Sequence, residues 1–517
     1  MISTPLFSFA SVLLLALFAE NARAVTLETV LPPGYADSVA QITNYRQSGK
    51  ATVYGLTGDI EIIYAEPDRF LVSYELGPMK LAQGFDGSVA WTLDQNQQIV
   101  TLSGNERKKI INAAFLAGQS YLGIGRMSGE CAYLKDTAIS STNYHLFLAL
   151  PEGGDSLWIY VNQDTRRIEM TAERLDEITM HTFLSDFRDI HGVPFPLRYV
   201  TKASLLQMNS DIEFERFDYN LNIDPDIFTP TEESEIDFGF PPDRDSVTLP
   251  FQFQGGHIYI TVSVNGGADL LFMLDSGAGI NILDKKFAER QRLLAEGKFP
   301  AKGIGGYDSA SVAPIDSISI GDIRLFHQVA AVVDLSELGL QSPGEFGGLI
   351  GYDLLSRMPV KVDYDKQRLV LYKPQTFTAP DSQFAVTLSL TSKVPSVDVA
   401  LDGCSGRFLV DLGSAFGVIL HKPFVDRNNL ESQFTDIKEV NGRVSGIGGS
   451  SRTKSAIGNK LKIGNLELEK PPLLIVEGES GVLKSSEIDG NLGNMMLRQY
   501  TPLFDYKNQK LYLLPSL

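Results

Sequence analysis

Two short segments hold the residues best suited to chemistry. FMLDSGAGINIL (272–283) and FLVDLGSAFGVIL (408–420) each run an apolar strand directly into an Asp and then into a Gly-containing turn. A carboxylate at the end of a core strand is costly to bury unless it is paired or hydrogen-bonded. Two of them, Asp275 and Asp411, are therefore expected to meet. Carboxyls about 3 Å apart cannot both ionise, so they share a proton and their pKa values separate. One can then act as general base on a trapped water while the other donates to a substrate carbonyl. Amide hydrolysis needs that chemistry, and it needs neither a metal nor a covalent intermediate.

The elements that position these residues occur twice. KGIGG (302–306) is echoed by SGIGG (445–449), ISIGDIRL (318–325) by LKIGNLEL (461–468), GLIGYDLL (348–355) by GNLGNMML (490–497), and VDYDKQRLVLY (362–372) by FDYKNQKLYLL (504–514). The offset is 136 residues between the two Asp and 142 or 143 in every later block. Five blocks in one order at nearly one offset require duplication, with about seven extra residues in the second copy between its Asp and its Gly-rich stretch. Two copies are too few for a solenoid and imply two lobes about a pseudo-twofold axis.

With those motifs in place, the C-terminal half (about 251–517) resembles a retropepsin-type aspartic peptidase whose two half-subunits are fused, as in pepsin-like enzymes and bacterial tandem aspartyl proteases. Asp275-Ser276-Gly277-Ala278 matches the family's active-site loop, and Leu349-Ile350-Gly351 matches the apolar-apolar-Gly motif behind it. The resemblance implies Asp275 and Asp411 as catalytic residues, with Ser276, Gly277, Ala278, Gly413 and Ser414 supporting the loops. It also implies flaps over substrate at Gly303, Ile304, Gly305 and Gly306 and at Gly446, Ile447, Gly448 and Gly449, where glycine suits a moving lid. The second copy departs from the pattern. Leu412 stands where Ser or Thr is expected, so one side of the family's hydrogen-bond grip between the loops is missing. Ser414 is the residue expected to reach the outer oxygen of Asp411. Asn491-Leu492-Gly493 keeps one of the two apolar residues before Gly.

Residues 26–228 read as many short antiparallel strands, among them 51–55, 60–65, 69–76, 89–93, 144–150 and 157–161, with a helix around 107–122. FDGSVAWTL (85–93), IYVNQDTRRIEM (159–170) and FLSDFRDIHGVPFPLRY (183–199) resemble outer-membrane lipoprotein-carrier (LolA-like) domains. That resemblance implies a curved antiparallel sheet with a concave face for a lipid, an acylated ligand or an extended peptide. The acidic, Pro-rich stretch 230–250 reads as a linker. The expected order is a signal peptide (1–24), a LolA-like β domain (25–229), the linker, and protease lobes at 251–380 and 381–517, mostly β throughout.

Leu6 to Ala19 is an apolar run of 14 residues ending before Ala22-Arg23-Ala24, a small-x-small cleavage pattern. It is too short to span a bilayer of roughly 30 Å. A periplasmic, cell-envelope or secreted location is expected. Lys+Arg 45 against Asp+Glu 63 gives a formal charge of −18, which repels phosphate backbones and argues against nucleic-acid binding. Six scattered His read as structural, and two Cys far apart in sequence, Cys131 and Cys404, read as unpaired buried thiols. No metal or cofactor is expected. GIGRMSG (123–129) has the wrong Gly spacing for a dinucleotide loop and reads as a turn. Both lobes lie in one chain, so a monomer is expected. The leading expectation is an exported aspartic endopeptidase acting on peptide or protein. Leu412 is the residue that favours the other class, a catalytically impaired binding protein for peptide or lipid.

Overall fold

Alternating apolar residues build the N-terminal sheet. In the computed structural model, which describes residues 25–516 apart from 176–177, 205–207, 231–236, 479–480 and 486, these strands form a 13-stranded antiparallel sheet. It consists of two meanders, Asn44 to Thr101 and Gly129 to Tyr219, which join where Asn44–Val53 pairs with Ser210–Tyr219. Tyr54 and Gly55 both take positive φ (54° and 79°), and so make the two-residue turn between Asn44–Val53 and Leu56–Ala65. The helix Gly104–Ala117 buries Ile110, Ile111, Ala114 and Phe115 against one face of the sheet, which is helical spacing. The 123–129 segment is the expected turn. Its Arg126 has a role the sequence did not announce: the guanidinium donates to the carbonyls of Val39, Ile42 and Gly118 and pairs with Glu66. The signal-peptide segment lies outside the described residues.

The two C-terminal lobes repeat one strand pattern. In the first, Leu270–Leu274 runs parallel to Phe346–Ile350, which is antiparallel to Ile282–Asp284, itself parallel to Ile323–Val333. In the second, Cys404–Asp411 runs parallel to Gly490–Gly493, which is antiparallel to Val418–His421, itself parallel to Pro472–Val476. The lobes have their own 9- and 10-stranded sheets and share a 6-stranded sheet. In the shared sheet Val360 pairs with Phe504 across the pseudo-twofold. Parallel strands covered on both faces are apolar throughout, which is why FML and FLV do not alternate.

The stretch read as a linker is not a free connector in its second half. Phe238–Gly239 pairs with Ile323–Val333, Ser246–Pro250 pairs with Arg368–Tyr372, and Asp237 forms an ion pair with the buried Arg357. Its acidic composition hid a charge partner, and its prolines fall outside the strands or, for Pro250, at the end of one. A second junction joins the N-terminal sheet to the lobes. The turn after Ala90–Leu93 carries Asp94, which accepts from Lys393 Nζ at 2.7 Å, and Asn96, which donates to Asp353 Oδ1 at 2.9 Å and to Val329 O at 3.2 Å. Asp94, Asn96 and Asp353 are buried. Removing one partner from such a set leaves an uncompensated buried charge, at a cost of about 3–5 kcal/mol. The N-terminal sheet is thus built into the lobes. Cys131 and Cys404 are unpaired, as expected, but half-buried. Among the described residues no helix is long and apolar enough to cross a membrane.

Candidate active site

Each Asp leaves its strand where the two lobes meet. Asp275 N donates to Ile350 O at 2.8 Å, which ties the first loop to the apolar-apolar-Gly motif. Gly277 N donates to Asp275 Oδ1 at 2.8 Å and Gly413 N to Asp411 Oδ1 at 2.9 Å, so each inner carboxylate oxygen is held by its own turn. The two carboxyls face each other and act on one another's ionisation. A Cβ at Gly413 would lie 2.3 Å from Asp275 Oδ1, so only glycine lets the opposite carboxyl come this close. Both aspartates are pushed above the ordinary carboxylate range. Burial is the main cause for each; the charge of Asp411 adds to the rise of Asp275, and a hydrogen bond from Asn491 opposes that of Asp411. The pair therefore holds a proton where free carboxyls would have lost theirs.

The grip between the loops is one-sided, as Leu412 implies. Ser276 Oγ donates to Val410 O at 2.6 Å and accepts from Leu412 N at 2.9 Å, so one buried hydroxyl serves the opposite loop twice. Leu412 returns nothing; its side chain is 0% exposed and belongs to the main core cluster. Asn494 Nδ2 holds Leu412 O at 2.7 Å.

The Ser414 hydroxyl does not reach Asp411, contrary to expectation: its Oγ makes no hydrogen bond among the described residues, and only the Ser414 backbone N–H engages the carboxyl. Asn491 takes that place, with Nδ2 3.0 Å from Asp411 Oδ2. The reason is register. Asn491 pairs with Ile419 in the strand lying against the active-site loop, and its lobe-1 counterpart is the cleft-lining Leu349, which pairs with Ile282. The signal was present in the sequence as the Asn that breaks the apolar-apolar-Gly motif, but only the register shows it facing the carboxylate. His421 was likewise read as scattered; it is buried and sits 3.0 Å from Asn491 Oδ1.

The two flaps meet. The hairpin Glu296–Gly303 with Gly306–Ile320 turns at Ile304-Gly305, and Thr435–Gly446 with Gly449–Ile457 turns at Ile447-Gly448. Gly305 N donates to Ile447 O at 3.1 Å. A Cβ at Gly305 would lie 2.2 Å from Gly449 N, so the tips need glycine for contact as well as motion. Beneath them is a cleft of about 810 Å³ lined by both aspartates, Gly277, Ala278, Gly413, Ser414 and the flap residues Gly303, Ile304, Gly446 and Ile447. Ser276 is behind the cleft, fully buried.

Residues 260–354 and 397–496 match the aspartyl protease family. No curated protein matches the chain. Among solved structures, the chain is similar to an aspartic proteinase from Irpex lacteus (13% identity, 52% of this chain, 97% of that one, TM-score 0.34). It is also similar to a LolA superfamily protein from Nitrosomonas europaea (15% identity, 40% and 99%, TM-score 0.30). A third is a DUF1329 family protein from Desulfovibrio piger (11% identity, 37% and 92%, TM-score 0.28).

The cleft between the two C-terminal lobes has a further wall that the sequence analysis did not include. Tyr54, Met79, Leu81 and Gln95 of the N-terminal sheet line it beside the first flap. Lys298 N donates to Tyr54 O at 2.6 Å, and the Tyr54 and Phe299 rings are 4.9 Å apart. The turn at Tyr54-Gly55 therefore braces the first flap. Among the described residues no three His, Cys, Asp or Glu gather as metal ligands.

Proposed function

We propose that this protein is an aspartic endopeptidase of the cell envelope that hydrolyses peptide bonds with Asp275 and Asp411. The observation that carries the reading is the half-buried carboxyl pair, each inner oxygen held by its own turn, beneath two flaps whose tips touch. In this reading Asp411, which carries the charge, takes a proton from water held between the carboxyls. Asp275, which carries the proton, donates it to the substrate carbonyl. An amide passing under the flaps would be extended, with an apolar side chain on the lobe-1 side of the cleft, where Met273, Ile282, Phe299, Ala331 and Leu349 gather. The N-terminal sheet supports a role in shaping this cleft: Tyr54, Met79 and Leu81 close its end.

The binding-protein reading rested on Leu412. Ser276 and Asn494 hold the Leu412 backbone, and Asn491 holds Asp411, so the loss of one hydroxyl does not leave the second loop unsupported. The test is cleavage of a diverse peptide mixture by the full chain from pH 3 to 8. Cleavage that falls at least a thousandfold in both Asp275→Asn and Asp411→Asn is the expected result. Cleavage that survives Asp411→Asn, or none by the wild type, would overturn the hydrolytic reading.

A further inference from the structure

Asp411 is held by a buried chain that lobe 1 lacks. Asn491 Nδ2 is 3.0 Å from Asp411 Oδ2, His421 Nε2 is 3.0 Å from Asn491 Oδ1, and His421 Nδ1 is 3.1 Å from Ile488 O. Asn491 and His421 are both buried. Their lobe-1 equivalents by strand pairing are Leu349 and Asp284. Asp284 caps its helix, Lys285–Arg290, by accepting from Lys286 N and Phe287 N. His421 precedes the matching helix, Lys422–Arg427, but makes no side-chain cap. Its ring turns inward instead. Leu412, Asn491 and His421 are thus three departures in one lobe, and the last two supply a donor to the carboxyl beside the first.

Counting donors and acceptors along the chain fixes its proton content. Ile488 O only accepts, an ionised carboxylate only accepts, and the Asn amide has one donating and one accepting end. With Asp411 ionised, the amide turns its N–H to Asp411 and its oxygen to His421. Both ring nitrogens must then donate, and His421 is an imidazolium. With His421 neutral and Nδ1–H on Ile488 O, the bare Nε2 requires the amide N–H. The amide oxygen then faces Asp411, whose Oδ2 must carry the proton. Each arrangement holds one proton, at one end or the other. An ionised Asp411 with a neutral His421 leaves a buried pair of acceptors facing each other, which costs the desolvation of an unmade bond.

We propose that Asn491 and His421 are positioning residues that replace the hydroxyl missing at Leu412, orienting Asp411 and sharing one proton with it through the Asn491 amide. The proposal rests on the reading of Asp275 and Asp411 as the hydrolytic pair. Beyond Asp411, the charged groups facing His421 are Asp489, at the entry to Gly490–Gly493, and Asp489's partner Arg427 on the following helix, at 2.6 Å. Asp489 Oδ2 also accepts from Arg407 N at 2.9 Å, so its charge is already engaged. The adjoining strand Pro472–Val476 brings no ionisable side chain. Burial disfavours the imidazolium, and Asp489 and the two hydrogen bonds favour it. Burial is the larger effect and holds His421 below the ordinary imidazole range, so the proton moves to the ring only toward the acid side.

The test combines ring spectra with kinetics on the full chain. Histidine-ring ¹⁵N spectra from pH 4 to 8 should show His421 doubly protonated in the wild type over part of the range. In Asp411→Asn it should stay neutral with Nδ1–H throughout, because a neutral amide at that position can donate to the turned Asn491. His421→Leu and Asn491→Leu should lower kcat roughly ten- to a hundredfold with KM changed by less than about threefold. The double variant should lose no more than the worse single one, as members of one chain do. His421→Gln, which donates without titrating, should restore most of kcat and remove one ionisation from the pH–kcat profile. A ring that is neutral in both the wild type and Asp411→Asn, or losses that add in the double variant, would overturn the proposal. A wild type that cleaves nothing would sink the hydrolytic reading alone, since the ring spectra decide the chain without turnover.

Discussion

The two C-terminal lobes share strand order, register and hairpin geometry, yet they hold their aspartates by different means. Lobe 1 supplies a hydroxyl, Ser276, that reaches across and satisfies two backbone groups of the other loop. At the position of Asn491 it has Leu349, which has no donor to offer Asp275. Lobe 2 supplies no hydroxyl at Leu412 but places Asn491 on the outer oxygen of its own aspartate. The difference matters for charge. A carboxyl among apolar groups keeps its proton, and a carboxyl receiving an amide N–H keeps its charge. Duplication placed two like carboxyls at the axis; divergence of their neighbours gave one of them an amide donor that the other lacks.

The sharpest way to break this comparison is to exchange the residues at the grip. Ser276→Ala leaves Leu412 N–H and Val410 C=O unpaired in a buried site, at about 1–3 kcal/mol each. It should lower the melting temperature and reduce kcat about a hundredfold, because the loops then lose their only side-chain tie of this kind among the described residues. Leu412→Ser, the reverse exchange, should behave differently. It removes a fully buried side chain from the core, a change of the kind that costs about 2–5 kcal/mol, and should lower stability without raising kcat. Thermal melts and steady-state kinetics on both variants check this. A faster Leu412→Ser enzyme would mean that the second hydroxyl was the missing part after all.

A smaller effect should follow from the pockets. Ala331 pairs with Ile282 as Leu474 pairs with Ile419, so lobe 1 has a methyl group where lobe 2 has a larger side chain. Ala331 lines the cleft, and Ile419 sits in a packed cluster with Val444, Val476 and Leu483. Ala331→Leu should fill the lobe-1 side. We expect kcat/KM for peptides with a large apolar residue at that subsite to fall at least about tenfold, and that for small residues to hold. Profiling cut sites with a peptide library measures it. An unchanged profile would place the apolar side chain elsewhere in the cleft.

Much of this arrangement was legible in the sequence, and the limits have physical reasons. The repeat located both aspartates, both flaps and the shared strand order, because strand-to-turn motifs with glycine are local and survive duplication in order. The one-sided grip was legible from Leu412 alone. What failed to show depended on register or on contacts between distant segments. Asn491 could be seen to break a motif, but its facing Asp411 follows from pairing with Ile419. Ser414, two residues nearer in spirit to the family pattern, looked like the better donor and makes no such bond. Tyr54 and Leu81 in the cleft wall, and Asp94 against Lys393, are contacts between residues more than two hundred apart. A stretch such as 237–250 reads as a linker because its strands are short and its one strong signal, Asp237, needs Arg357 to make sense.

The smallest predicted effect tests the charge difference between the lobes through stability. Unfolded, Asp275 and Asp411 both ionise near pH 4. Folded, burial raises both, so the native state binds more protons than the unfolded chain from about pH 4 upward. Stability rises with pH only where the unfolded state binds more protons, so this pair lowers stability as pH climbs through that window. Asp275→Asn removes the group that carries the proton and leaves Asp411 with its charge and its Asn491 bond. Its melting temperature relative to the wild type should therefore be near unchanged at pH 4 and higher by several degrees at pH 8. Asp411→Asn should gain less, because it discards a carboxylate that Asn491 already stabilises. Melts of the three proteins at pH 4, 6 and 8 give the comparison. Equal gains would mean that the lobes treat their aspartates alike, and that the acid and base roles are not set by Leu349 on one side and Asn491 on the other.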